Sequence, residues 1–174
     1  MRPIGSKVLL KLDKAIEEIN GIYLPDGCKV HGWRANVEDI GVLVRNGLQV
    51  GDSVMVLKSY TTVIDRKTDI AITDSKLVLA VVNEKQCIIP INKFVLIRPD
   101  EKVAEIGGIF LPEYKVNQQG GSGTVIRIGG DTDNEIAAGD TIHFPKQTAV
   151  ICKERDQVLN IVHESDIIMV VSNG

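Results

Sequence analysis

Apolar positions along the chain fall in short runs separated by turn residues. Val, Ile and Leu dominate Lys7–Leu12, Gly41–Val44, Ser53–Leu57 and Leu77–Val82, with Asn46-Gly47 and Gly51-Asp52 between them. Such spacing predicts strands and hairpins. No window of a dozen residues carries helical periodicity. The best helical fragment, "KAIEEI" (14–19), is cut off by Asn20-Gly21 and Pro25. Apolar strands this short and frequent predict small closed antiparallel barrels, because closure removes exposed edges.

The pattern repeats. Sliding the chain by 87 residues aligns Pro3–Pro25 with Pro90–Pro112 without a gap, and eleven of the 23 positions are identical. Among them are Val8/Val95, Leu9/Leu96, Asp13/Asp100 and Glu18/Glu105. Downstream, "GVLVRNG" (41–47) answers "GTVIRIG" (123–129), "GDSVMV" (51–56) answers "GDTIHF" (139–144), and "DSKLVLAVV" (74–82) answers "ESDIIMVV" (164–171). A tandem duplication follows, with domains expected at 1–84 and 85–174 across the polar stretch Asn83–Gln86. The expected fold is all-β: two small barrels in tandem.

Two segments stand apart from the strands. "GIYLP" (21–25) and "GIFLP" (108–112) are bounded by Gly and Pro, which suit central strands poorly. Each leads into a polar, glycine-rich tail, at 26–39 and 113–123. Four of the seven aromatic residues fall in these regions: Tyr23, Trp33, Phe110 and Tyr114. Two readings are open from spacing alone. The apolar tips either tuck onto their own barrel or are held out for a partner.

Composition narrows the partners. The net charge is −3 and no basic run appears, which disfavours nucleic acid. No apolar run reaches the length of a membrane span, and no targeting segment is evident at the start. The three cysteines are far apart and odd in number, so a disulfide framework is not expected and a reducing cytoplasm is.

Several motifs then converge on a family. "RPIGSKVLLK" (2–11) resembles the opening of GroES-type co-chaperonins, and "GGIFLPE" (107–113) is similar to the mobile loop of their mitochondrial member. "AAGDTIHF" (137–144) and "VLNIVHESDIIMVV" (158–171) resemble the family's Val-Gly-Asp strand and C-terminal strand pair. The resemblance covers nearly all of the second repeat and most of the first, in family order. It implies β-barrels assembled into a homo-oligomeric ring that caps a chaperonin and encloses an unfolded client. It also implies that a loop from each barrel docks a hydrophobic tripeptide into a groove of a GroEL-type apical domain. The corresponding tripeptides are Ile22-Tyr23-Leu24 and Ile109-Phe110-Leu111, whose aromatic middle residues depart from the usual aliphatic one. Gly21, Gly107, Gly108, Gly120, Gly121 and Gly123 are expected to keep the loops flexible. The chain would need no cofactor, since ATP is bound by the chaperonin. The roof hairpin of the family is expected to be shortened here, to 45–52 and 129–140.

Catalytic and metal chemistry is poorly supported. Cys28 and His31 have no second ligand pair, "DTDNE" (131–135) lacks the glycine and closing acid of a calcium loop, and His163, Ser165 and Asp166 are merely sequence neighbours. No enzyme is expected. The competing class is a structural or adaptor protein, perhaps viral, that keeps the duplicated barrel without binding a chaperonin. A small-molecule-binding barrel comes third, for want of a convergent polar cluster.

Overall fold

The computed structural model describes residues 1–13, 18–19, 22–23, 32–100, 105–106, 109–110, 121–133 and 135–172, with backbone alone at 18–19, 22–23, 105–106 and 109–110. These residues form strands and four short 3₁₀ turns. The strands of the first half are β1 (Lys7–Leu12), β2 (Glu18–Ile19), β3 (Ile22–Tyr23), β4 (Trp33–Ile40), β5 (Ser53–Val56), β6 (Thr62–Asp65), β7 (Ile70–Asp74) and β8 (Ala80–Val82). Those of the second are β9 (Ile88–Pro90), β10 (Phe94–Pro99), β11 (Glu105–Ile106), β12 (Ile109–Phe110), β13 (Gly121–Ile128), β14 (Thr141–Phe144), β15 (Val150–Glu154), β16 (Gln157–His163) and β17 (Met169–Val171).

Two large sheets result, ordered β6-β7-β1-β4-β5-β8-β9 and β15-β16-β10-β13-β14-β17. Strand for strand the orders correspond, apart from the added β9. Even an irregularity is shared: the register shifts between Leu9 and Leu10 against β4, and between Leu96 and Ile97 against β13. Each bulge lets the strand turn sharply while keeping its apolar residues inward. Val8 and Leu10 line the core of the first sheet with Val37 and Val54. Val95 and Ile97 do the same in the second, with Val125 and Ile142.

Two expectations need correction. Gly41–Val44 is a turn, and the strand precedes it as β4, within the stretch expected to be a polar loop tail. The residue that answers Gly41 is therefore Gly129, not Gly123. Both glycines follow their strand and lie where a Cβ would run into backbone oxygen, that of Gly5 for Gly41 and that of Asn92 for Gly129. Second, the sheets are open ladders rather than hydrogen-bonded barrels, with β6, β9, β15 and β17 at their edges. Edge groups find other partners instead. The Ile151 carbonyl of β15, for instance, accepts from Gly32 N–H at 3.3 Å. Across the expected boundary, β9 pairs with β8 through Ala80↔Pro90, Val81↔Ile89 and Val82↔Ile88. Between β4 and β5, residues 41–52 carry no strand.

The halves meet in a shared apolar cluster. Met55, Leu79 and Ile88 pack with Leu96, Leu159 and Ile161, all buried. One ion pair locks it. Arg127 Nη1 donates to Glu154 Oε2 at 2.8 Å and to the Ile88 carbonyl at 3.0 Å, while Glu154 Oε2 also accepts the Ile88 N–H at 2.7 Å. Both backbone groups of an edge residue are thus satisfied by one charged pair, as buried backbone requires. Partial burial pushes the Glu154 carboxyl up, but the Arg127 hydrogen bond and the Ile88 N–H outweigh it and hold it below its ordinary 4.5. A depressed carboxylate stabilises the fold above its unfolded value and loses that contribution as pH falls through the folded one. Stability from this clamp is therefore expected to be flat above pH ~5 and to decline on further acidification. Glu154→Gln should remove most of that decline and cost about 1–3 kcal/mol at neutral pH. Urea titrations of both proteins at several pH values measure it.

Candidate functional site

Between β1 and β4, and between β10 and β13, the chain leaves each sheet and returns to it. Both departures are built alike. Asp13 N–H donates to the Arg34 carbonyl at 3.0 Å, and Asn36 Nδ2 donates to Asp13 Oδ1 at 3.3 Å. At the second root Asp100 N–H donates to the Ser122 carbonyl at 3.0 Å, and Ser122 Oγ donates to Asp100 Oδ2 at 2.7 Å. An aspartate carboxylate is fixed at each exit by a side chain of the returning strand. Asp13 and Asp100 coincide in the sequence repeat, which was the available signal for these root residues.

Beyond the roots, each excursion contains a small two-stranded ladder. In the first, Ile19 faces Ile22 and Glu18 faces Tyr23; in the second, Ile106 faces Ile109 and Glu105 faces Phe110. Asn20-Gly21 and Gly107-Gly108 fall between the paired strands and lie outside the described residues. Ile22 and Tyr23, like Ile109 and Phe110, are thus strand residues at hairpins. Leu24, Leu111 and Gly120 lie outside the described residues.

Two glycines assigned to loop flexibility sit elsewhere. Gly121 and Gly123 belong to β13, paired with Phe144 and Ile142 of β14. Their role there is space. A Cβ on Gly121 would strike the Phe144 ring, and one on Gly123 would strike the Arg98 carbonyl. Trp33, expected in the loop tail, is likewise the first residue of β4. Its ring packs against the first core and carries Lys58 Nζ 5.2 Å from its centroid, within cation–π range.

The rival chemistries gain nothing from the geometry. His163 Nδ1 lies 2.7 Å from Ser165 Oγ and accepts from Ser165 N–H at 3.2 Å, an arrangement that caps the following 3₁₀ turn. Burial, with Glu154 nearby, pushes the Cys152 thiol up to about 12, so it is protonated and unreactive at neutral pH. Among the described residues no group of three or more His, Cys, Asp or Glu could hold a metal ion. Cys28 and His31 lie outside them. No helix among them is long and apolar enough to cross a membrane.

The family model described as "Chaperonin 10 Kd subunit" matches residues 87–171. Comparison with curated proteins finds no match.

The roots themselves are testable. Gly123→Val forces a Cβ against a backbone carbonyl that cannot yield, and should destabilise the protein by about 1–3 kcal/mol. Chemical denaturation should register this as an earlier midpoint with an unchanged slope.

Proposed function

We propose, from the match of residues 87–171 to the chaperonin 10 family model, that the whole chain is a co-chaperonin built of two such units, 1–84 and 85–174. In this reading it caps a chaperonin ring in one nucleotide state and so assists the folding of an enclosed client. ATP is bound by the chaperonin, and the chain carries no cofactor or catalysis of its own. The proposed contacts are Ile22-Tyr23-Leu24 and Ile109-Phe110-Leu111. The observation carrying the reading is the family match over the second half, joined to an Ile-Phe pair set at a hairpin within that match.

Magnitudes favour weak, reversible contacts. Three large apolar side chains buried per loop gain about 5–8 kcal/mol at about 1.5–3 kcal/mol each. Fixing a flexible residue costs about 1–2 kcal/mol, which offsets most of that gain. Pairing within each hairpin lowers the cost, since part of the segment is already ordered. Presented several at a time on a homo-oligomer, such loops hold through effective concentration and still release. A cytoplasmic setting is part of this reading, since the three cysteines are far apart and odd in number.

ATP-dependent co-sedimentation with a chaperonin ring provides the test. The intact protein should pellet with the ring only in the presence of nucleotide. Changing either triplet to serine should weaken capture at least tenfold, and changing both should abolish it. No capture by bacterial or organellar chaperonins, with both loops resisting protease, would instead indicate an adaptor that reuses the barrel.

A further inference from the structure

A polar network beside the charged clamp also ties the halves together. Asn92, in the left-handed region at φ 57, lies just after β9. Its carbonyl accepts Asp131 N–H of the second half at 3.0 Å. Its buried side chain enters the first half, where Nδ2 donates to the carbonyls of Ser75 at 3.0 Å and Val78 at 2.9 Å. Asn92 Oδ1 accepts from Asn46 Nδ2 at 3.1 Å, and the same Nδ2 donates to the Ser75 carbonyl at 2.8 Å. The segment between β4 and β5 is thus fastened to the joint through one primary amide.

Gly47 follows that amide. An asparagine before glycine carries its own nucleophile, because the next backbone nitrogen can reach the side-chain Cγ with no Cβ in the way. Gly47 is exposed, at φ 80, with nothing within 4 Å of a Cβ built on it. Among the described residues nothing accepts its N–H. Asn46 Oδ1 is buried without a partner among them, so the amide is held by Nδ2 alone. The second half supplies a contrast. Ala137 N–H donates to Asp140 Oδ2 as Gln49 N–H does to Asp52 Oδ2, which aligns Asn134-Glu135 with Asn46-Gly47 in the repeat. There a long side chain follows the asparagine, and Asn134 itself lies outside the described residues.

We propose that Asn46 is a self-modification site whose deamidation unfastens the first half from the joint. Gly47 N attacks Asn46 Cγ. That N–C bond forms as the bond from Cγ to Nδ2 breaks, and the Gly47 amide proton leaves with the side-chain NH₂ as ammonia. Water then opens the five-membered imide at either carbonyl, giving aspartate or an isoaspartyl link, with nothing oxidised or reduced. A carboxylate at 46 has no proton to give, so it faces two acceptors, the Ser75 carbonyl and Asn92 Oδ1. Turning the Asn92 amide over answers the carboxylate but points the Asn92 oxygen at the carbonyls of Ser75 and Val78. Neither orientation satisfies the site. The isoaspartyl link adds a methylene to the main chain close to Leu48, which is buried in the first core. This inference does not rest on what the loops bind.

Peptide mapping by mass spectrometry, after incubating the full chain in warm, mildly alkaline buffer, is the test. Asn46 should show the mass change of an amide turned to an acid, part of it as isoaspartate that an isoaspartyl methyltransferase labels. Asn134 should keep its amide over the same period. Asn92→Gly suits the backbone at φ 57 and removes one hydrogen bond from Asn46 Nδ2, so it should speed the conversion roughly fivefold. Asn46→Asp should lower the thermal midpoint by about 5 °C, and converted wild type should fall at least as far. On the Asn92→Gly background the same substitution should cost about half as much, since one opposed acceptor is gone. An amide retained at Asn46 in the folded chain, or Asn134 converting as fast as Asn46, would overturn the site. An unchanged midpoint in Asn46→Asp, or an equal cost and rate with and without the Asn92 amide, would overturn its link to the joint.

Discussion

The molecule depends on a strand that pairs across a boundary. β9 leads directly into the second sheet, yet it pairs with β8 at the edge of the first. Left alone, the groups of Ile88 that face away from β8 would be unsatisfied beside an apolar cluster. Arg127 and Glu154 reach back from the second sheet and take both. The two repeats are therefore joined by backbone pairing, by shared apolar burial and by one ion pair with defined geometry. A flexible linker would let the halves tumble independently. This joint holds them, and with them the roots of the two loops, in one relationship.

That relationship gives the hairpins their meaning. Each is rooted by an aspartate locked to the returning strand, and the first root is also tied across the joint by Gly32 to Ile151. Short ladders set Ile22 opposite Ile19 with Tyr23 opposite Glu18, and Ile109 opposite Ile106 with Phe110 opposite Glu105. Weak sites held in fixed geometry can act together, where the same segments on independent domains would act singly.

Much of this was legible in the sequence. The 87-residue period, β1 and β5 followed from apolar runs and their punctuation, and the family resemblance from motifs such as "RPIGSKVLLK" (2–11) and "VLNIVHESDIIMVV" (158–171). What escaped had physical reasons. β4 reads "WRANVEDI", with only Ala35 and Val37 fully buried, so a strand that is half solvated looks like a polar loop. β6 is an edge strand with an exposed face and leaves little pattern. Gly41 resembled any strand-flanking glycine, and only the approach of the Gly5 carbonyl shows which residue it answers. Arg127 and Glu154 are 27 residues apart and meet Ile88 through tertiary packing that no local spacing reports. Closed barrels were expected from short, frequent apolar strands, but the sheets stay open, and edge groups of β9 and β15 find partners across the joint instead.

In the proposed function, one joint holds both hairpins for a single chaperonin partner. Hydrogen–deuterium exchange on the full chain, with and without an ATP-loaded chaperonin ring, tests it most directly. The account predicts that amides of 18–24 and 105–112 become protected together, while β9 and β10 stay equally slow in both states. Protection of neither segment would contradict it, as would loss of protection at β9 on binding.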